Sequence, residues 1–212
     1  EFMEKVENLK NNEAIIKLMK KFKIDVLITA SEYEIEWFSV NKSDIEKNCN
    51  TKLCIAPNDW INLGNNKLST YKFLNGIGVN VFSFFEYKYE FHSWRSCINN
   101  QFLTHNDFPV FAKPNYGTSN KGIIKFNNLN DFKNFNFPQE KSNYVLQGSM
   151  DENDSYEVTS SIIISKSGSI EFEPFHAKRK LNKGISWCIE KINSPELDKI
   201  VYLIAKNMKN YF

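Results

Sequence analysis

Residues 108–125 read Phe-Pro-Val-Phe-Ala-Lys-Pro-Asn-Tyr-Gly-Thr-Ser-Asn-Lys-Gly-Ile-Ile-Lys, an apolar strand that ends on a lysine and is cut off by a proline. Proline fixes its own φ and has no N–H for a sheet ladder, so the strand has to stop at Pro114. A loop of Gly, Ser, Thr and Asn follows, and residues 122–126 form a second apolar run. Lys113 therefore sits at the end of a rigid element and aims its ammonium into a cleft. The loop backbone can curl around an anion and offer it N–H groups and hydroxyls. Lys121 and Lys125 flank it, and phosphate is the natural guest. A plain hairpin with surface lysines is the competing reading of the same residues. The GxxxxGK[ST] and GxGxxG phosphate-binding patterns are both absent.

The rest of the chain has to build a cleft for that strand. Residues 4–22 carry apolar side chains at three-to-four spacing, which predicts an amphipathic helix. Residues 24–29 form a compact apolar run, the pattern of a strand buried on both faces of a parallel sheet. A helix over 34–47 and a short strand over 53–56 follow, so the first sixty or so residues alternate like a doubly wound α/β unit. No strand precedes the first helix, and Glu1-Phe2 ahead of Met3 reads as a cloning remnant. Beyond position 58 the pattern predicts a helix over 66–74, a strand over 79–85, a helix over 86–102 and strands over 108–114 and 122–126. A brief helix over 130–135 comes next, then strands over 144–147, 156–165 and 169–175, the last two joined by a turn at Lys166-Ser167-Gly168. Ser194 caps a last amphipathic helix, with Pro195 at its first position. This second half reads as an α+β domain.

Composition removes several classes of function. With 27 basic and 25 acidic side chains in 212 residues, the net charge is +2, which leaves no polybasic nucleic-acid arm and no acidic tail. No apolar run reaches the ~18 residues of a membrane span, and the N-terminus lacks the basic-then-apolar pattern of a signal peptide. Cys49, Cys54, Cys97 and Cys188 have no CxxC spacing, so the expectation is a reduced, cytoplasmic chain without nucleic-acid or membrane partners. His92, His105 and His176 have no metal-ligand spacing to any cysteine or carboxylate, and no metal ligand is expected among the residues present. Phe82, Phe84 and Phe85 read as packing.

Several stretches stand in a telling order. Asn66-Lys67 opens a helix, and Gly76-Ile-Gly-Val79 precedes a strand. The Lys113 strand and its glycine loop come next, followed by Tyr144-Val-Leu-Gln147 and a strand that begins Tyr156-Glu-Val158. In this order and spacing they resemble the ATP-grasp superfamily, and within it the proteins similar to the large chain of carbamoyl-phosphate synthase. The resemblance runs from about residue 23 to residue 212. It implies an α/β and α+β chain: a small partial doubly wound domain over 3–63, a small ATP-grasp subdomain over 64–141 and a large one over 142–212.

The resemblance also assigns roles. Lys67 and Lys113 would neutralise nucleotide phosphates, and the loop with Gly117, Thr118, Ser119 and Gly122 would be the lid over them. Gln147 would face the adenine amino group, while the backbones of Gly148 and Met150 bond the base edge. Glu157 would take the ribose hydroxyls. Arg179, with Lys178 as second candidate, would steady the transferring phosphoryl group; a charge-guarded edge strand is the plainer reading of that cluster. The implied activity is ATP-dependent ligation through an acyl-phosphate, joining a small carboxylate to an amine, ammonia or a thiol with ATP and Mg²⁺. The implied Mg²⁺ ligands, in a pattern like Glu-Ile-Asn-Pro-Arg, would lie outside this chain. The alternative is a non-catalytic or split ATP-grasp module that needs a complementing chain, or a homodimer, for activity.

Overall fold

The computed structural model describes residues 11–29, 31–117, 120–149, 156–165, 167–182 and 185–208. The chain divides into two compact units, Glu1–Leu63 and Gly64–Phe212.

In the first unit, helix α1 (Asn12–Phe22) starts where the Asn11 side chain accepts from the Glu13 N–H at 2.9 Å. It ends where Lys23 turns left-handed, with φ of 51°. Its Ile15 and Met19 pack with Phe38, Ile45, Cys49 and Leu53 into a core. Phe38 and Ile45 come from α2 (Glu32–Asn48), the crossover between strands β1 (Val26–Leu27) and β2 (Lys52–Leu53). The two strands pair in parallel, Val26 opposite Lys52 and Leu27 opposite Leu53. The pair is shorter than the apolar runs predict. Val26 is 55% exposed and Ile28 75%, so the first run is not covered on both faces as expected. Among the described residues β1 has β2 as its only strand neighbour. Helix α3 (Asn58–Asn65), which the sequence reading did not separate from its surroundings, follows.

The second unit opens with α4 (Lys67–Gly76), whose N-cap Asn66 accepts from the Ser69 N–H at 2.9 Å. It carries two antiparallel sheets. The larger contains β3 (Phe84–Lys88), β4 (Ser93–Ser96), β5 (Val110–Pro114), β6 (Ile124–Phe126) and β7 (Tyr144–Gly148), in the order β4-β3-β7-β5-β6. One face packs Phe85, Trp94, Val110, Ala112, Tyr144 and Leu146 against Phe126 and against Leu129 and Phe132 of α5 (Leu129–Lys133). Because side chains alternate along a strand, Phe111 and Lys113 of β5 lie on the opposite face, with Val145 and Gln147 of β7. Phe84, opposite Gln147, shares that face and meets the ring of Tyr71 from α4 at 5.5 Å. The central strand β7 keeps this sheet running past position 142.

The helix expected over 86–102 is instead the β3–β4 hairpin, in which Tyr87 opposes Trp94 and Phe85 opposes Ser96. Aromatic packing decides it: the buried Trp94 ring meets Tyr87 at 5.6 Å and Phe132 at 6.0 Å.

The smaller sheet has the order β10-β9-β8, from β8 (Glu157–Ser161), β9 (Phe175–Asn182) and β10 (Ile185–Ile192). Of the turn expected at 166–168, Lys166 lies outside the described residues; on either side of it the Ser165 N–H donates to the Ser169 carbonyl at 2.8 Å. Among the described residues its flanks hold one bridge, Ile164 to Ile170, and the strand that pairs with β8 is 175–182 and not 169–175. Helix α6 (Pro195–Met208) buries Val201 and Ala205, and Ser194 caps it by accepting from the Leu197 N–H at 3.3 Å. Among the described residues no helix is long and apolar enough to cross a membrane.

Candidate functional site

Lys113 leaves β5 on the face away from the aromatic core and donates to Gln147 Oε1 at 2.5 Å. The Tyr71 hydroxyl donates to the same oxygen at 2.7 Å. Burial pushes the Lys113 pKa below its ordinary value, the nearby Lys67 charge adds to that, and the Glu157 carboxylate opposes it. The result is a poorly solvated cation held by a neutral oxygen, an arrangement that an anion would improve.

Lys67 stands at the first position of α4. Its ammonium donates to the Gly117 carbonyl at 2.7 Å and its backbone N–H to the Asn115 carbonyl at 3.0 Å. The start of the glycine loop is thereby fastened to the start of a helix, close to Lys113. Gly117 and Gly122 both take left-handed backbone, φ 126° and 74°. At Gly122 a Cβ would also meet the Pro114 ring at 3.0 Å, so the loop closes on the proline that ended the strand. Thr118 and Ser119 lie outside the described residues, as does Met150. Lys125 stacks over Phe111 at 5.5 Å on the lysine face of the sheet.

The smaller sheet carries the remaining candidates. Glu157 and Arg179 are direct cross-strand partners, and Arg179 Nη1 donates to Glu157 Oε1 at 2.7 Å. Two residues assigned to different parts of a nucleotide are thus bound to each other. Lys178 is the next residue on β9 and so faces the other way; its ammonium stands 4.2 Å over the Tyr156 ring. Its face carries His176, so Arg179 and Lys178 do not act on one ligand from one face. At the end of β7, the Gly148 N–H donates to the Ser83 carbonyl at 2.9 Å and the Ser149 N–H to the Pro109 carbonyl at 3.1 Å. Any bond from Gly148 to a base edge would use its carbonyl.

Lys67, Lys113, Gly117, Gly122 and Gln147 are brought together around one end of the larger sheet. Two residues the sequence reading missed complete the setting. Tyr71 had a readable signal, since it lies four positions after Lys67 on one helix and shares its face. Asn115, directly after Pro114, had none. It is 6% exposed and donates through Nδ2 to the Ser142 carbonyl at 3.1 Å, and its Oδ1 is buried with no partner among the described residues. Among the described residues, no three His, Cys, Asp or Glu side chains lie together as a metal site.

No protein-family model matches the sequence, and no curated protein sequence matches it. Solved structures do match. Pyruvate carboxylase from Rhizobium etli superposes with a TM-score of 0.62 at 11% identity, over 99% of this chain and 18% of its own. N5-carboxyaminoimidazole ribonucleotide synthetase from Thermus thermophilus gives 0.62 at 12%, over 94% and 51%. The biotin carboxylase domain of Hydrogenobacter thermophilus 2-oxoglutarate carboxylase, a dimer in complex with MgADP, ADP and bicarbonate, gives 0.61 at 13%, over 99% and 47%. These neighbours are ATP-grasp enzymes, and the chain has the ATP-grasp fold. It spans about half or less of their length.

Proposed function

We propose that this chain forms the nucleotide-binding part of an ATP-dependent ligase that joins a small carboxylate to an amine, ammonia or a thiol through an acyl-phosphate. The observation that carries the reading is Lys113, a desolvated ammonium on a rigid strand with Lys67 beside it and a left-handed glycine loop leading away. Paired cations of this kind suit a polyphosphate. In this reading Lys113 and Lys67 take phosphate oxygens, and the 117–122 loop folds over them. Glu157 accepts from the ribose hydroxyls, and Gln147 meets the base. Arg179, released from Glu157, balances charge on the phosphoryl group as it moves to the carboxylate. Mg²⁺ would enter with the nucleotide, on ligands beyond the described residues. The proposed division at 63/64 follows the same reading, and the one expected at 141/142 belongs after β7, which the larger sheet holds at its centre.

A second reading is a binding module without turnover, completed by another chain or a second copy. The Glu157–Arg179 pair favours it, because an arginine whose charge is already balanced by a neighbouring carboxylate stabilises a transferring phosphoryl group less.

Calorimetric titration with Mg²⁺–ATP and a non-hydrolysable analogue tests the site. Saturable binding, weakened at least about tenfold by Lys113→Ala, supports it. No heat with either nucleotide overturns it. ADP release that appears only with a carboxylate and an amine present separates the ligase from the module.

A further inference from the structure

One oxygen at the centre of the site has two donors. A protonated lysine can only donate, so the atom 2.5 Å from the Lys113 ammonium fixes which end of the Gln147 carboxamide is oxygen. The Tyr71 hydroxyl, 2.7 Å from the same atom, must then also be donating. A carbonyl oxygen has two lone pairs, and both are used. What Gln147 has left is its NH₂ group, which donates and cannot accept. It can donate to a ring nitrogen of a base, but the exocyclic amino group of that base finds no acceptor in it.

Phosphate changes that arrangement. The Lys113 ammonium is held by a neutral amide while burial and Lys67 both work against its charge. A phosphate oxygen offers it a charged partner, and charge-assisted bonds are roughly twice as strong as neutral ones. When Lys113 turns to phosphate, a lone pair of Gln147 Oε1 becomes free, while Tyr71 still anchors the amide from α4. Resting on the nucleotide reading of this site, we propose that Gln147 couples the two ends of the ligand. Its carboxamide oxygen holds Lys113 in the free protein and accepts from the base amino group once phosphate has drawn Lys113 away. Gln147 is then a specificity residue that reads the base only when phosphate is present, and Tyr71 is its positioning residue.

The coupling is measurable with pieces of the ligand. Adenosine is titrated into the protein with and without saturating inorganic tripolyphosphate, and purine riboside serves as the control because it lacks the 6-amino group and carries no hydrogen on N1. Adenosine should bind about three- to tenfold tighter with tripolyphosphate present, the worth of one regained hydrogen bond, and purine riboside should not. Lys113→Ala should give adenosine the same gain without tripolyphosphate, while ATP and tripolyphosphate bind more weakly. Tyr71→Phe, which leaves the carboxamide without its anchor, should shrink the gain that tripolyphosphate gives to adenosine. Should Lys113→Ala fail to fold, the tripolyphosphate comparison on the unaltered protein decides alone. Adenosine affinity indifferent to tripolyphosphate, undetectable binding in both conditions, or an equal gain for purine riboside each overturns the coupling. ATP that binds without such coupling sinks this inference and spares the nucleotide site. Absence of any ATP binding sinks both.

Discussion

Lys113 and Cys97 show how burial acts on single groups in this fold, and both give measurable consequences. For Lys113 the folded pKa lies below the ordinary 10.5 of the unfolded chain. Between those two values the unfolded chain binds more protons, so stability rises with pH across that window. Lys113→Met should remove that rise, which urea titrations of ligand-free protein at several alkaline pH values would show. An unchanged slope would mean that the ammonium is well solvated. Cys97 moves the other way in the sense that burial, helped by the Glu86 charge, pushes its thiol up to about 11. Thiolate is the reactive form, so Cys97 should alkylate roughly a hundredfold more slowly at pH 8.5 than a thiol at the ordinary value. Cys54 and Cys188 are exposed and should react first. Mass spectrometry over an iodoacetamide time course checks the order. The sequence made Lys113 legible because a lysine, a proline and a glycine loop in succession leave a strand few options. It could not show that Gln147 spends its oxygen on Lys113 and Tyr71, since that depends on β5, β7 and α4 meeting on one sheet face.

At the scale of elements, a single histidine joins three of them. His176 on β9 is 2% exposed, bonded through Nδ1 to Ser160 Oγ of β8 at 2.8 Å and through Nε2 to Asp198 Oδ1 of α6 at 2.9 Å. Removing the ring takes away both bonds and leaves a gap under α6, so His176→Ala should cost about 2 kcal/mol. Asp198→Ala should cost about 1 kcal/mol, and the double variant less than the sum. Denaturant midpoints of the four proteins check this, and strict additivity would mean the two residues act independently. The sequence reading treated His176 as bland because a lone histidine has no partner within reach along the chain; its partners lie 16 and 22 residues away. A comparable failure explains the missed β3–β4 hairpin. Phe91, Trp94, Cys97 and Ile98 recur at helical spacing, yet Trp94 and Ser96 are buried while Ser93 and Arg95 are not, the period of a strand. Short apolar stretches satisfy both periods, and only the aromatic partners across the sheet choose.

For the molecule as a whole, each unit has its own buried cluster, one around Ile45 and one around Leu146. The alternation of helix and strand in the first sixty residues and the order of motifs beyond them were both readable. The lengths were not: β1 and β2 are two residues each, and among the described residues neither run has a second strand partner. Every candidate nucleotide contact falls in Gly64–Phe212, and this separation makes a prediction of its own. A ligand that binds only the folded state stabilises it by about 2.7 kcal/mol at a hundred times its dissociation constant. With ATP at that excess, hydrogen exchange should slow in β5 and β7, around Ala112 and Leu146, and in the β8–β9 pair that carries Glu157 and Arg179. The amides of α1 and α2 around Ile15 and Ile45 should keep their free-protein rates, since no contact assigned to the nucleotide lies there. Equal protection of both units would show that folding of the first is linked to the site. Protection confined to β8 and β9 would mean that Lys113 and Gln147 do not touch the ligand, and the phosphate end of the site would then have to be sought on the smaller sheet.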